Sequence, residues 1–165
     1  MHSETAMKEK ISVDSTDRRI LTLLQKDAGL SLAALSEQVG LSPTPCWKRV
    51  KRLEASGVIG ARVTLLNRDA IGLGVTAFVS IRAGAHDEGW LETFAAGVAL
   101  IPEVVEFYRM AGDVDYLLKV VCHDIAHYDR IYKRLIKVAP MGDVSSSFAM
   151  EQMKFTTELP LSELP

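Results

Sequence analysis

In the first third of the chain, apolar residues recur three or four positions apart, the spacing of helices that bury one face. In the remainder, β-branched runs with partial alternation trade places with further helical patterns. Asp14 or Ser15 is placed to cap a first helix with Ile20, Leu21, Leu23 and Leu24 on its apolar side, and Asp27-Ala28-Gly29 closes it. Ser31 caps a second helix, which turns Leu32, Leu35 and Val39 inward. Gly40 ends it, because glycine enters the left-handed region without steric cost. Ser42 caps a third. Pro43 falls at its first position, where a missing N–H costs nothing, and Pro45 is still inside the first turn. At about 100° per residue, Cys46, Val50 and Leu53 lie within about 60° of one another and form a buried stripe. Thr44, Lys48, Lys51 and Arg52 then point away from it.

After Ser56-Gly57, the run VIGARVTLLN reads as a short strand or wing leading to a connector. Asn67 to Gly74 (NRDAIGLG), with two glycines and a turn-rich start, marks a domain boundary. Four strands are expected beyond it, over 75–82, 104–110, 115–122 and 144–153. One helix starts at His86 or Asp87, carries Trp90, Leu91, Phe94, Ala95 and Val98, and stops before Pro102. A second is capped by Asp124, with Ile125, Tyr128, Ile131, Tyr132, Leu135 and Ile136 on or near its buried side, and ends at Ala139-Pro140-Met141-Gly142. The order βαββαβ predicts a ferredoxin-like sheet with its helices on one face. The fold class is therefore α+β: an N-terminal winged helix-turn-helix joined to a C-terminal ferredoxin-like domain. The expected divisions are a disordered 1–13, a helical domain over 14–62, a hinge over 63–74 and a sheet domain with a tail over 75–165. The sheet face without helices needs a cover, most simply a second copy in a twofold dimer.

Charge sharpens this division. The net charge is only −2, but residues 1–62 carry +3 and residues 63–165 carry −5. That asymmetry fits a nucleic-acid-binding half joined to an acidic half with another task. No apolar run approaches the roughly 18 residues of a membrane span, and the polar N-terminus lacks a signal-peptide core, so a cytoplasmic protein is expected. Cys46 and Cys122 lie far apart inside regular elements, and both are expected reduced and buried.

The third helix carries the candidate chemistry. A short polar cap, a rigid first turn and a basic outer face suit insertion into a DNA major groove, with the helix start at base edges and cations on phosphate. The DNA-contact candidates are Ser42, Thr44, Pro45, Trp47, Lys48, Arg49, Lys51, Arg52 and, in the wing, Arg62. An ordinary solvated face is the competing reading. His123 and His127 have the spacing of paired metal ligands, with Cys122 beside them. Asp124, however, looks like the helix cap, which puts His123 off that face, and no third ligand stands out. No phosphate loop, metalloprotease or hydrolase motif is present. Neither a metal, a cofactor nor a catalytic step is expected.

With these elements placed, the chain resembles the Lrp/AsnC (feast/famine) family of transcription regulators over about residues 14 to 158. LSPTPCWKRVKRLEASGVI is similar to the family's recognition helix and wing, IGLGVTAFVSI to its hinge and first strand, and AGDVDYLLKV to its Gly-Asp-x-Asp-Tyr signature. SSFAMEQMKFTTELPL resembles the closing strand and tail of a subgroup associated with cysteine and sulfur metabolism. The resemblance implies a DNA-binding regulator whose second domain senses a small amino acid between dimers, and dimers that assemble further, often to octamers. It makes Gly112, Asp113, Asp115 and Tyr116 the effector-site candidates, with Met110 and Ser145, Ser146 and Ser147 as additions. An amino acid needs a carboxylate for its ammonium group and N–H donors for its own carboxylate, and a Gly-Asp turn can supply both. A plain polar β-turn is the competing reading. The overall expectation is a sequence-specific regulator responding to an amino acid, cysteine or another sulfur amino acid first. The alternative is an architectural DNA-binding protein without an effector.

Overall fold

The computed structural model describes residues 12–84 and 88–163. The expected disorder of residues 1–11 and the helix start at His86 or Asp87 lie outside them. The chain divides into two compact units, residues 1–64 with 154–165, and residues 65–153.

The first unit is built on α1 (Ser15–Lys26), α2 (Leu32–Val39) and α3 (Pro43–Ala55). Asp14 caps α1 through a reciprocal box: its carboxylate accepts from the Asp17 N–H at 2.8 Å, and the Asp17 carboxylate accepts from the Asp14 N–H at 3.1 Å. Ser31 caps α2, and Gly40 closes it in the left-handed region at φ 72°. Ser42 sits at the N-cap of α3 with extended backbone, but its side chain makes no capping bond. Ile20, Leu21, Leu35, Val39, Cys46, Val50 and Leu53 form one core, so the expected stripe of α3 is the buried one. Val13 packs against this core as well, in a segment expected to carry no packing pattern.

Two expectations fail in this unit. No strand forms between Gly57 and Leu73; a strand needs a ladder partner, and the run offers its apolar residues outward instead, with Val63 and Leu66 about 70% exposed. The tail, assigned to the sheet domain, lies with the helices. The side-chain amide of Gln25 brackets the backbone of Leu159, accepting from its N–H at 2.7 Å and donating to its carbonyl at 3.3 Å. Leu161 packs on the helical core.

The second unit orders its four strands β2 (Val104–Arg109), β3 (Tyr116–Cys122), β1 (Val75–Ala83) and β4 (Met141–Phe148), with every neighbouring pair antiparallel. Helices α4 (Glu88–Ala99) and α5 (Ile125–Leu135) cover one face. Trp90, Phe94 and Val98 of α4 and Tyr128, Ile131 and Leu135 of α5 meet Ala77, Val79, Ile81, Leu118 and Val120 there. This is the ferredoxin-like arrangement the element order implied. Asp124 caps α5 by accepting from the His127 N–H at 2.6 Å. Ile125 and Ile136, expected inward, are exposed at the two ends of that helix. The last strand begins at Met141, three residues earlier than expected, because Met141 still pairs with Ala83 beyond a bulge at Gly142 of β4. It stops at Phe148, well before Met153. The other sheet face carries no helix, and it is mixed rather than apolar. Phe78, Leu117 and Tyr108 share it with Ser80, Arg82, Ser145, Ser147 and the Lys119–Glu106 ion pair at 2.7 Å. The expected hinge is an ordered turn, in which the Asn67 carboxamide accepts from Asp69 and Ala70 N–H and Arg68 reaches Thr76 on that mixed face.

Candidate nucleic-acid interface and effector site

Helix α3 sorts its polar residues into two groups. Thr44, Trp47, Lys48 and Lys51 stand three, four and seven positions apart, so they share one stripe, and all four are exposed. Trp47 leaves about half its surface open, 49%. Ser42 and Pro45 are exposed at the start of the same helix. Lys51 pairs with Glu54 at 2.7 Å, and Arg62 reaches the same carboxylate at 3.3 Å, which lowers the Glu54 pKa. Among the described residues, Lys48 alone of the helix's cations has no carboxylate partner.

Arg49 and Arg52 form the other group and turn onto α1. Arg49 donates to Asp14 at 2.6 Å and to Asp17 at 2.9 Å, and Arg52 donates to the second oxygen of Asp17. Asp17 has no solvent exposure, so its charge is satisfied by two guanidinium groups and the Asp14 N–H. The Asp17 N–H, and then Arg49, hold the Asp14 carboxyl below its ordinary range. Asp14 and Asp17 together push Arg49 up. Arg52 is exposed, as expected, with 46% of its side-chain surface open, and its guanidinium also reaches Asp17 of α1. Its position on the flank of the helix brings it within reach of a carboxylate that belongs to another element. The Asp-x-x-Asp spacing of a capping box was visible in the sequence; the arginines it would meet were not. Cys46 lies fully buried behind this face, and burial raises its thiol pKa, so it is a packing residue.

In the second unit the Gly-Asp signature forms a compact turn. The Met110 N–H donates to the Asp115 carbonyl at 2.8 Å, and the Asp115 N–H to the Ile81 carbonyl at 3.0 Å. Gly112 takes φ 135°, a value that favours glycine. The Asp115 carboxylate accepts from the Ala83 N–H at 2.8 Å, so it holds the end of β1 opposite the bulge in β4. Arg82, which the sequence reading passed over, donates to the Asp113 carbonyl at 2.7 Å and fastens the turn to β1. The Asp113 side chain is exposed and has no partner among the described residues. Met110 is 40% exposed beside it.

The remaining candidates separate by strand parity. Tyr116 is 5% exposed, its ring stacked on Trp90 at 5.5 Å and tilted against Phe94 and Phe107. It packs in the core on the helix side of the sheet rather than standing open beside Asp113. Ser145 and Ser147 lie on the open face, opposite Ser80 and Phe78. Ser146 lies on the helix side and hydrogen-bonds the Tyr128 hydroxyl. His123 and His127 stack at 5.2 Å, with His123 on the Gly72 carbonyl and His127 3.4 Å from Glu103. Cys122 is buried with a raised thiol pKa, and among the described residues no three ligand-type side chains gather to hold a metal.

The two units match two domain descriptions: winged helix-turn-helix DNA-binding over residues 13–59, and Lrp/AsnC ligand binding domain over residues 76–159. The chain belongs to the Lrp/AsnC family. It is 52% identical over 151 residues to the glutamate uptake regulatory protein of Zymomonas mobilis, covering 92% of each chain. It is 51% identical over 150 residues to the DNA-binding transcriptional activator DecR of Escherichia coli, covering 90% of this chain and 99% of that one. Among solved structures, an AsnC family transcriptional regulator from Agrobacterium tumefaciens superposes with a TM-score of 0.89 at 55% identity, over 92% of this chain and 99% of that one. A transcriptional regulator from Neisseria meningitidis, solved as its L-Met complex, superposes at 0.87 with 35% identity, over 91% and 97%. Within this Lrp/AsnC regulator the helical unit thus carries the winged helix-turn-helix DNA-binding domain and the sheet unit the ligand-binding domain. Among the described residues no helix is long and apolar enough to cross a membrane.

Proposed function

We propose that this Lrp/AsnC regulator reads operator DNA with the stripe Thr44, Trp47, Lys48 and Lys51, and that an amino acid bound at the 110–115 turn changes that binding. The observation that carries the DNA half is the split on α3. Four exposed side chains share one stripe, whose ion pair, Lys51–Glu54, stays within the helix, while both arginines reach across to α1. Ser42 and Pro45 flank the stripe at the helix start, where base edges are read, and Arg62 serves as a phosphate contact beyond it. The Asp113 carboxylate is the acceptor for an effector ammonium, with Met110, Gly112, Ser145 and Ser147 around it. Asp115, Tyr116 and Ser146 support the site rather than touch the ligand. A sulfur amino acid is the favoured effector, cysteine first and methionine next, the latter because a 35% identical relative was solved with L-Met.

The open sheet face is the surface for a second copy, and dimers then assemble further, as far as octamers. The protein acts in the cytoplasm, where its DNA is, and no catalytic step is assigned to it. Calorimetric titration of the full chain with cysteine, methionine and leucine tests the sensor reading, with and without a duplex selected from a random pool. Heat with one amino acid, and an affinity that shifts when duplex is present, is the expected result, because coupling between two ligands is reciprocal. Equal duplex affinity and sedimentation with every amino acid would favour an effector-independent architectural protein.

A further inference from the structure

The buried carboxylate of the DNA-binding unit has a task beyond holding helices together. Asp17 is wholly buried, yet it receives both arginines of α3, one on each oxygen, while Asp14 takes a second bond from Arg49 at 2.6 Å. Arg49 and Arg52 lie on one flank of α3, and the stripe Thr44, Trp47, Lys48 and Lys51 lies on its outward side. Two anchors one turn apart on a single flank fix the rotation of a helix about its own axis, which hydrophobic packing of Cys46, Val50 and Leu53 alone does loosely. Arg49 Nη1 bridges Asp14 and Asp17 while Arg52 Nη2 takes the other Asp17 oxygen, so two ion pairs tie α3 to the start of α1 at two points along the helix.

We infer that Asp17 is a positioning residue for DNA recognition: through Arg49 and Arg52 it sets the rotation of α3 that aims Trp47 and Lys48 at the groove, and these two arginines are not phosphate contacts. The inference rests on the reading of α3 as the DNA-contacting helix. It separates two properties that a basic helix usually confounds. Contacts to phosphate set affinity and salt dependence on any sequence, whereas the aim of the helix sets discrimination between sequences.

The experiment compares full-length wild type, Asp17→Asn, Arg52→Gln, the double variant Arg49→Lys/Arg52→Lys and Lys48→Gln. Each is titrated at several salt concentrations against two duplexes: one selected by wild type from a random pool, and a scrambled duplex of the same composition. Thermal melts show which variants are folded. Lys48→Gln is expected to flatten the log–log salt slope by roughly 0.9 per bound protomer on both duplexes. Arg52→Gln and the double-lysine variant are expected to keep the wild-type slope on scrambled duplex. They should lose preference for the selected one by about tenfold or more, the scale of one misplaced base contact. Asp17→Asn, which keeps an oxygen for the Asp14 N–H, should lose preference likewise. Should it fail to fold, the arginine variants decide the matter alone.

A slope for Arg52→Gln that drops as far as that of Lys48→Gln would make Arg52 a phosphate contact and overturn the inference. Unchanged preference in folded Arg52→Gln and double-lysine proteins would overturn it as well. A wild-type slope and preference for Lys48→Gln too would show that α3 is not the contact helix, so the functional reading itself would be the part that failed.

Discussion

In the helical unit a carboxylate without solvent exposure, Asp17, is met by two guanidinium groups, whereas in the sheet unit the Asp113 carboxylate stands exposed on a turn and meets no cation among the described residues. Both sit in charged stretches that invite assignment to a ligand. Only the second is unoccupied. A buried carboxylate is stable only when paired and hydrogen-bonded, so Asp17 captures its arginines in the free protein. A turn carboxylate in water suffers no such penalty and can wait for an ammonium group. A carboxylate that the fold has buried among cations is not free for a ligand, whereas one left exposed and unpaired is.

The sharpest way to break this comparison is at Tyr116, which stands beside Asp113 in sequence but behind the sheet. Tyr116→Ala is expected to destabilise the sheet unit by about 3–5 kcal/mol, as removal of a buried aromatic ring does, read by urea unfolding. A variant of unchanged stability that lost only its amino-acid response would return Tyr116 to the site.

Asp113→Asn comes next. It keeps the turn and removes the charge, so effector affinity should fall roughly ten- to a hundredfold, the worth of about 1.5–3 kcal/mol for a charge-assisted bond, with an unchanged melting temperature. Equal calorimetric affinity in the mutant would leave the sensor standing and remove Asp113 from it.

A smaller effect concerns the tail. Gln25→Ala removes both bonds to Leu159, and the Leu159 amide should then exchange its hydrogen several-fold faster, for a local loss of about 1 kcal/mol. Unaltered exchange would mean that Leu161 alone holds the tail.

The smallest is a pH effect at Asp14, half exposed in its side chain. Its folded pKa lies below its ordinary value of 3.8, so the stability it contributes is present above that value and fades as pH falls through the folded one. Wild type should therefore lose slightly more stability than Asp14→Asn between about pH 6 and about pH 3. Superimposable acid limbs in urea titrations would show that neither the Asp17 N–H bond nor the Arg49 pair adds stability through the Asp14 charge.

Much was legible without coordinates wherever the physics is local. The caps at Asp14, Ser31 and Asp124, the left-handed Gly40 and the buried stripe Cys46–Val50–Leu53 each follow from a few neighbouring residues. So did the order of strands and helices, which limits a βαββαβ chain to few topologies. What the sequence by itself determined was therefore the helical and sheet portions, the third helix with its buried stripe and the location of the Gly-Asp turn. Tertiary structure decided which side chains remain available. Arg49 and Arg52 met Asp17 across more than thirty residues of chain, Asp115 was taken by the Ala83 N–H at the end of β1, and strand parity sent Tyr116 and Ser146 inward while leaving Ser145 and Ser147 outward. The tail crossed to α1, and the run after Gly57 formed no strand for want of a ladder partner. Each of these depends on a partner distant in sequence, and neither periodicity nor propensity carries the identity of a distant partner.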